Sequence, residues 1–178
     1  MELADDLHSK GKVLTIAVLP KSDNIIYQFS SSRQAQDWEA IGKAVDEFRI
    51  MGYDWTHNST TDPGPISPTY WIDEILRYAI SKIDPSKIVL GLPLYGYHWR
   101  TDSVSALTFE DAIHLNKTNN SYEWDQASQE NHLIVDSGEA WYHDAKSIGI
   151  RREQARKYGI KGVVYWRLGG EDPEIWNL

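Results

Sequence analysis

The chain has 178 residues, with 18 Lys plus Arg against 26 Asp plus Glu, and a formal net charge of −8. That balance argues against a general nucleic-acid binder, which needs a basic face to displace counterions, and against docking on an anionic membrane. No apolar run approaches the roughly 18 residues of a transmembrane helix, and the absence of Cys excludes disulfides and thiolate metal sites.

The first residues, Met1-Glu2-Leu3-Ala4-Asp5-Asp6, lack a basic and then apolar stretch, so no signal peptide is expected here. Residues 3–10 read as a helix tail stopped by Gly11. Residues 12–19 (KVLTIAVL), bounded by Gly11 and Pro20, predict a strand. Residues 21–32 are polar and loop-like. Residues 33–45 carry Ala35, Trp38, Ile41 and Val45 at helical spacing, and residues 46–54 (DEFRIMGYD) predict a second strand. A Thr-, Pro- and Gly-rich loop then ends at Ser67-Pro68. Ser67 reads as an N-cap with Pro68 at the first helical position. The helix that follows, residues 69–83, places Trp71, Ile72, Ile75, Leu76, Ala79 and Ile83 on one face. Residues 87–94 (KIVLGLPL) are nearly all apolar, as a strand buried on both faces should be.

Residues 95–144 break the rhythm. They hold a short helical stretch at 108–117 and aromatic runs at 121–125, 132–136 and 139–143, with Ser137-Gly138 as a turn signal. The alternation resumes with a helix over 145–158, a Gly159 cap, a strand over 161–166 (KGVVYW) and an Asp172-Pro173 helix start. Repeated βα units with apolar strands predict an α/β fold with a parallel sheet. Four such units make half of an eight-stranded barrel, which needs about 250 residues when complete. The expected organisation is a half TIM barrel from residues 1–97 and 144–178, with an α+β insertion over residues 98–143.

In such folds chemistry gathers at the C-terminal ends of the strands. Here those ends carry Met51-Gly52-Tyr53-Asp54-Trp55, Tyr95-Gly96-Tyr97-His98-Trp99 and Tyr165-Trp166-Arg167. The chain holds 8 Trp and 10 Tyr beside 3 Phe, and Trp and Tyr pair a flat apolar face with a polar tip, which suits sugar rings. Each residue also has a structural alternative. Tyr53 and Asp54 could be a hydrogen-bonded strand-end pair, and Trp166 could be core. Tyr95, Tyr97, His98 and Trp99 could wall a groove or pack the insertion. His8, His57, His98, His114, His132 and His143 show no metal-ligand spacing, and Gly169-Gly170 lacks a phosphate-loop context, so neither metal nor cofactor is expected.

These motifs resemble glycoside hydrolase family 18, the chitinase family. Met51-Gly52-Tyr53-Asp54 resembles its sixth-strand Met-x-Tyr-Asp signature. Residues 87–97 resemble its seventh strand, and residues 163–172 (VVYWRLGGED) its eighth. Residues 141–147 resemble the end of its insertion domain. The likeness spans essentially the whole chain and is greatest to the bacterial spore-germination branch. It implies the C-terminal half, strands five to eight, of a (β/α)₈ barrel.

By that resemblance the parent protein cleaves β-1,4-linked N-acetylglucosamine glycans, chitin or peptidoglycan, by a substrate-assisted retaining mechanism, an exception to the two-carboxylate scheme. Tyr53 would donate to the acetamido oxygen that acts as nucleophile, and Asp54 would hold the sugar. Trp166 would floor the ring, with Met51, Tyr95, Tyr97 and Trp99 as further substrate contacts. The family's catalytic Asp-x-x-Asp-x-Asp-x-Glu, whose Glu is the general acid, is not found in this sequence. Asp172-Pro173-Glu174 has Asp-x-Glu spacing but reads as a helix cap. The chain alone is therefore expected to be inactive, either as a fragment of such an enzyme or as a non-catalytic glycan-binding module. Open sheet edges predict a homodimer or pairing with a missing N-terminal half barrel. The resemblance implies an extracellular, cell-wall or spore-associated setting for the parent.

Overall fold

A computed structural model describes residues 2–23, 35–117 and 121–178. The expected loop over 21–32 and the start of the helix over 33–45 lie in part outside the described residues. In chain order the elements are α1 (Glu2–His8), β1 (Thr15–Val18), α2 (Trp38–Ala44), β2 (Glu47–Met51), α3 (Thr69–Lys82), β3 (Ile88–Pro93), β4 (Gly96–Arg100), β5 (Ser103–Leu107), α4 (Phe109–Asn116), β6 (Ser121–Asp125), β7 (Glu130–Val135), β8 (Gly138–Tyr142), α5 (Ala145–Lys157) and β9 (Gly162–Trp166). Short 3₁₀ turns lie at Pro85–Lys87 and Pro173–Asn177. The chain divides into two compact units. The first comprises Met1–Met51, Asp73–Gly91 and Gln154–Val164, and the second Gly52–Ile72, Leu92–Glu153 and Tyr165–Leu178.

The strands of the first unit belong to a four-stranded sheet in the order β1-β2-β3-β9, with β1–β2 and β2–β3 parallel. All six residues of β3 are buried, as its continuous apolar run requires, whereas β2 alternates between buried and half-buried positions. Trp38 packs edge-on to Phe48 at 5.1 Å and to Tyr78 at 5.3 Å, which fastens α2 and α3 to one face of the sheet. Asp37 caps α2 by accepting the Ala40 N–H. Edge strand β9 is tied by Lys161, whose Nζ lies 2.8 Å from Glu47.

The second unit is built on a five-stranded antiparallel sheet, β5-β4-β8-β7-β6. The β6, β7 and β8 runs follow the expected strands to within two residues. The β4–β5 hairpin is additional to the sequence-based expectation. Its first strand, GYHWR, is buried at four consecutive positions rather than alternating, and its turn at Thr101-Asp102 carries no Gly. Gly96 and Gly138 are steric requirements, because a Cβ would come within 2.2 Å of Trp141 O at the first and 1.9 Å of Trp99 O at the second. α4 opens with a reciprocal capping box between Thr108 and Asp111. It covers a core of Leu107, Ala112, Leu133, Ala140 and Tyr142.

Ser67 departs from its expected role. It is fully buried, and its hydroxyl donates to Gly52 O at 2.6 Å instead of capping α3. The helix is entered through Pro68, whose carbonyl accepts the Ile72 N–H. Ser67 is held there by a buried polar cluster. Arg151 of α5 spends all five of its N–H donors inside the protein. Nε donates to Ser67 O, Nη1 to Gln129 O and Ser147 O, and Nη2 to Ser128 O and Glu130 Oε1, over 2.8–3.1 Å. Glu130 also accepts the N–H groups of Ile66 and Ser67, each at 2.8 Å. His143 completes the cluster: Nδ1 lies 3.1 Å from Ser147 Oγ, and Nε2 lies 3.4 Å from Glu130 without hydrogen-bond geometry.

Two outcomes are expected. Arg151→Met leaves the Glu130 carboxylate buried without its counterion, so urea unfolding should show a loss of about 3–5 kcal/mol. The second concerns pH. Burial, then the nearby Arg151 charge, holds the His143 pKa well below its ordinary value, and burial also lowers that of His98. Below pH about 6.5 the unfolded chain therefore binds protons that the folded chain refuses. Stability present at pH 7 should fall as pH drops toward 5, by at most about 1.4 kcal/mol per pH unit for each such histidine. Thermal melts should show a shallower slope in His143→Gln, and an equal slope in both proteins would contradict the assignment.

Candidate functional site

The site grows from the turn that follows β2. Asp54 sits in the left-handed region at φ 61°, a conformation that Asp tolerates because its short polar side chain can bond locally. The turn is held at both ends by the segment before α3. Ser67 Oγ donates to Gly52 O, the Trp55 N–H donates to Ile66 O at 2.9 Å, and the Thr56 N–H donates to Pro65 O at 3.1 Å.

Asp54 organises the aromatic side chains around it. Its Oδ1 accepts hydrogen bonds from the Tyr95 hydroxyl at 2.6 Å and the Tyr97 hydroxyl at 3.0 Å. Burial, and then the Asp54 charge, pushes both phenol pKa values upward, so both remain protonated donors at neutral pH. The three tyrosines meet edge to face, Tyr53 on Tyr95 at 6.3 Å and Tyr95 on Tyr97 at 5.4 Å. The Tyr53 pKa is raised by the same two causes in the same order. Among the described residues no hydrogen bond uses the Tyr53 hydroxyl, which leaves a protonated donor free for a ligand.

A cavity of about 260 Å³ lies against this group, lined by Asp54, Tyr95, Tyr97, Trp166, Arg167 and Gly170 together with the Leu94 and Ala106–Thr108 segments. That is just below the roughly 300–1,000 Å³ of typical ligand clefts, and is the size of one sugar-sized group. Trp166 is 56% exposed, a flat apolar face left open to solvent. The loop after it is fixed by backbone bonds, Leu94 N–H to Trp166 O at 2.7 Å and Phe109 N–H to Gly170 O at 2.8 Å. Glu171 closes the loop by accepting the N–H groups of Gly169 and Gly170. Hydrogen bonds from its own N–H and from these two glycines hold the Glu171 carboxyl below the usual range.

Among the sequence-predicted residues, the structure brings Asp54, Tyr95, Tyr97 and Trp166 to one cavity and sets Tyr53 against Tyr95. Trp99 is elsewhere. It is 3% exposed, packs with Tyr97 and Ile66, and gives its indole N–H to Thr60 O, so its face is spent on packing. His98 is likewise buried, with Ser137 Oγ 3.2 Å from its Nε2. Met51 ends β2 in the first unit, opposite Gly91. Asp172 is a cap, its two oxygens taking the Glu174 and Ala145 N–H groups. Arg167, named in the sequence only as part of the Tyr165-Trp166-Arg167 strand end and given no role there, also lines the cavity. It is exposed, and among the described residues it has no ion pair or hydrogen bond. Among the described residues no cluster of three or more His, Asp and Glu is placed to hold a metal ion.

One family model covers nearly the whole chain. The model described as "Glycosyl hydrolases family 18" matches residues 1–171. A cortical fragment-lytic enzyme of Bacillus subtilis (strain 168) is 29% identical over 189 residues, a match that takes in 99% of this chain and 43% of that protein. The crystal structure of the Bacillus cereus spore cortex-lytic enzyme SleL superposes with a TM-score of 0.88 at 30% identity, covering 98% of this chain and 43% of the other. A chitinase from Chromobacterium violaceum ATCC 12472 gives a TM-score of 0.89 at 27% identity, covering 99% of this chain and 57% of its own. The chain thus spans less than half the length of its curated relative. With the family model matching nearly every residue, the chain belongs to glycosyl hydrolases family 18.

Proposed function

We propose that this chain is the substrate-holding portion of a glycosidase acting on β-1,4-linked N-acetylglucosamine glycans, chitin or peptidoglycan. The observation that carries the reading is Asp54, held by two tyrosine hydroxyls on the wall of a sugar-sized cavity beside the open face of Trp166. In this reading residues 1–97 and 144–178 form strands five to eight of a (β/α)₈ barrel, and residues 98–143 form the insertion. The parallel order β1-β2-β3 and the separate antiparallel sheet support that division.

The chemistry assigns a role to each group. A sugar ring lies on Trp166, whose apolar face meets the ring's C–H bonds. Asp54 accepts from a sugar hydroxyl or amide N–H. Its Oδ1 already takes the Tyr95 and Tyr97 hydroxyls, which leaves Oδ2 for the sugar. Tyr53 donates to the acetamido oxygen as that oxygen attacks the anomeric carbon, a bond that strengthens as charge develops. Met51 would line the same strand end. A carboxylic acid must still protonate the leaving oxygen, a contribution of typically 10²–10⁴-fold. In the parent protein the Asp-x-x-Asp-x-Asp-x-Glu segment would supply it, through a companion half barrel. The names of two relatives, a cortical fragment-lytic enzyme and a spore cortex-lytic enzyme, support a spore or cell-wall setting for the parent.

A second reading is favoured by the sequence itself, which carries the aromatic site but no Asp-x-x-Asp-x-Asp-x-Glu. The chain would then bind such glycans without cleaving them, alone or as a homodimer.

Calorimetry with an N-acetylglucosamine tetramer tests the shared claim. The wild-type chain should bind, and Trp166→Ala and Asp54→Ala should each weaken affinity about tenfold, the loss of about 1.4 kcal/mol. Unchanged affinity in both variants would contradict the site. A fluorogenic N-acetylglucosaminide separates the two readings. Hydrolysis that appears only when a polypeptide bearing the acidic segment is added supports the split enzyme, and a well-folded, inactive mixture supports the binding module.

A further inference from the structure

The buried Glu130–Arg151 cluster has no contact with the cavity, yet it leads directly to the turn that carries Tyr53 and Asp54. Five hydrogen bonds make the path. Arg151 fixes one oxygen of Glu130 at 3.1 Å. The two Glu130 oxygens take the adjacent N–H groups of Ile66 and Ser67, a bidentate grip on one dipeptide. That dipeptide then grips the turn at both ends, by Ser67 Oγ to Gly52 O and by Ile66 O from the Trp55 N–H. Between Gly52 and Trp55 lie only Tyr53 and Asp54, the latter in the left-handed region.

The links through Glu130 and Ser67 are buried and specific. Glu130, Arg151 and Ser67 are fully buried, so no water stands ready to replace a lost bond. A buried carboxylate is retained against its desolvation cost only when good geometry satisfies it. Here its acceptors are spent on backbone N–H groups rather than on a second side chain. The bend that supplies Ser128 O and Gln129 O to Arg151 is itself set by Gln129 at φ 59° and by the Asp125 carboxylate, which accepts the Ser128 N–H. The antiparallel sheet therefore presents Glu130 at a defined place, at the first residue of β7.

We propose that Glu130 is a positioning residue, setting the Tyr53–Asp54 turn through the Ile66–Ser67 peptide so that both side chains meet the sugar. The inference rests on the glycan-site reading for its ligand, but the turn's rigidity is a separate property and is measured separately. Pre-organised donors and acceptors bind more tightly because less ordering remains to be done on binding. Loosening the turn should therefore weaken sugar affinity without touching any sugar-contacting group.

The test uses the full chain in four forms: wild type, Glu130→Gln, Ser67→Ala and Ser67→Thr. Ser67→Ala cuts a single link while the ion pair stays intact, so it covers the case in which Glu130→Gln fails to fold. Ser67→Thr keeps the hydroxyl. Amide hydrogen exchange is read at Trp55 and, as a global reference, at Leu133 and Ala140. In Ser67→Ala, Trp55 should exchange about tenfold faster with the reference amides unchanged, and affinity for an N-acetylglucosamine tetramer should fall about five- to tenfold. Ser67→Thr should restore both, and any folded Glu130→Gln should resemble Ser67→Ala. Unchanged Trp55 exchange in Ser67→Ala, or in a folded Glu130→Gln, overturns the proposal. So does acceleration of all three amides together, which marks a general stability effect. If the wild type binds no tetramer, the glycan reading fails, and the exchange results still decide whether Glu130 sets the turn.

Discussion

A guanidinium and a carboxylate buried side by side govern the second unit. Arg151 and Glu130 have no exposure to solvent, and removing two such charges from water costs several kcal/mol each before any attraction is counted. What offsets that cost is complete hydrogen bonding: five donors from Arg151 and two backbone N–H groups onto Glu130. An apolar pair of the same volume could be as stable, but it would not dictate where four separate backbone carbonyls and two amides must lie. The pair ties together by hydrogen bonds the bend before β7, the first turns of α5 and the entry to α3.

That rigidity bears on chemistry because Tyr53 and Asp54 sit on a short turn with a left-handed residue, a conformation that needs support from its surroundings. The support comes from the Ile66–Ser67 peptide at both ends. Asp54 then sets the next layer, since a single oxygen receives two tyrosine hydroxyls and so fixes two aromatic rings at the cavity wall. Trp166 is left with its face open, and Glu171 braces the loop behind it through two glycine N–H groups. The Asp54 carboxylate, the Tyr95 and Tyr97 hydroxyls and the backbone that carries Trp166 are each held by a bond within the protein.

Parts of this were legible in the sequence. The apolar run of β3, the helical stretch from Thr108, the Gly159 stop, the Asp172 start and the βα alternation all rest on local chemistry that a short window contains. Asp54, Tyr95, Tyr97 and Trp166 could be named because strand ends collect function. Trp99 shows the limit of that rule. It shares a strand with Tyr97 and differs from it only in which neighbours cover it. Ser67 before Pro68 looks like a cap in any local window, and only Gly52 and Glu130, far off in sequence, divert it. Glu130 and Arg151 themselves are 21 residues apart on elements of ordinary composition, so nothing short-range marks them as partners. The β4–β5 hairpin was hidden because a strand buried at four successive positions shows no period of two.

The ligand proposed for the aromatic, carboxylate-anchored cavity is an N-acetylated amino sugar in a β-1,4-linked chain. The measurement that bears on this most directly is a crystal structure of the chain soaked with an N-acetylglucosamine tetramer. The expected result is a sugar ring against Trp166, with its polar groups in hydrogen-bond reach of Asp54 and its acetamido oxygen facing the Tyr53 hydroxyl. An oligosaccharide bound away from Trp166 and Asp54, or none bound at saturating concentration, would contradict it.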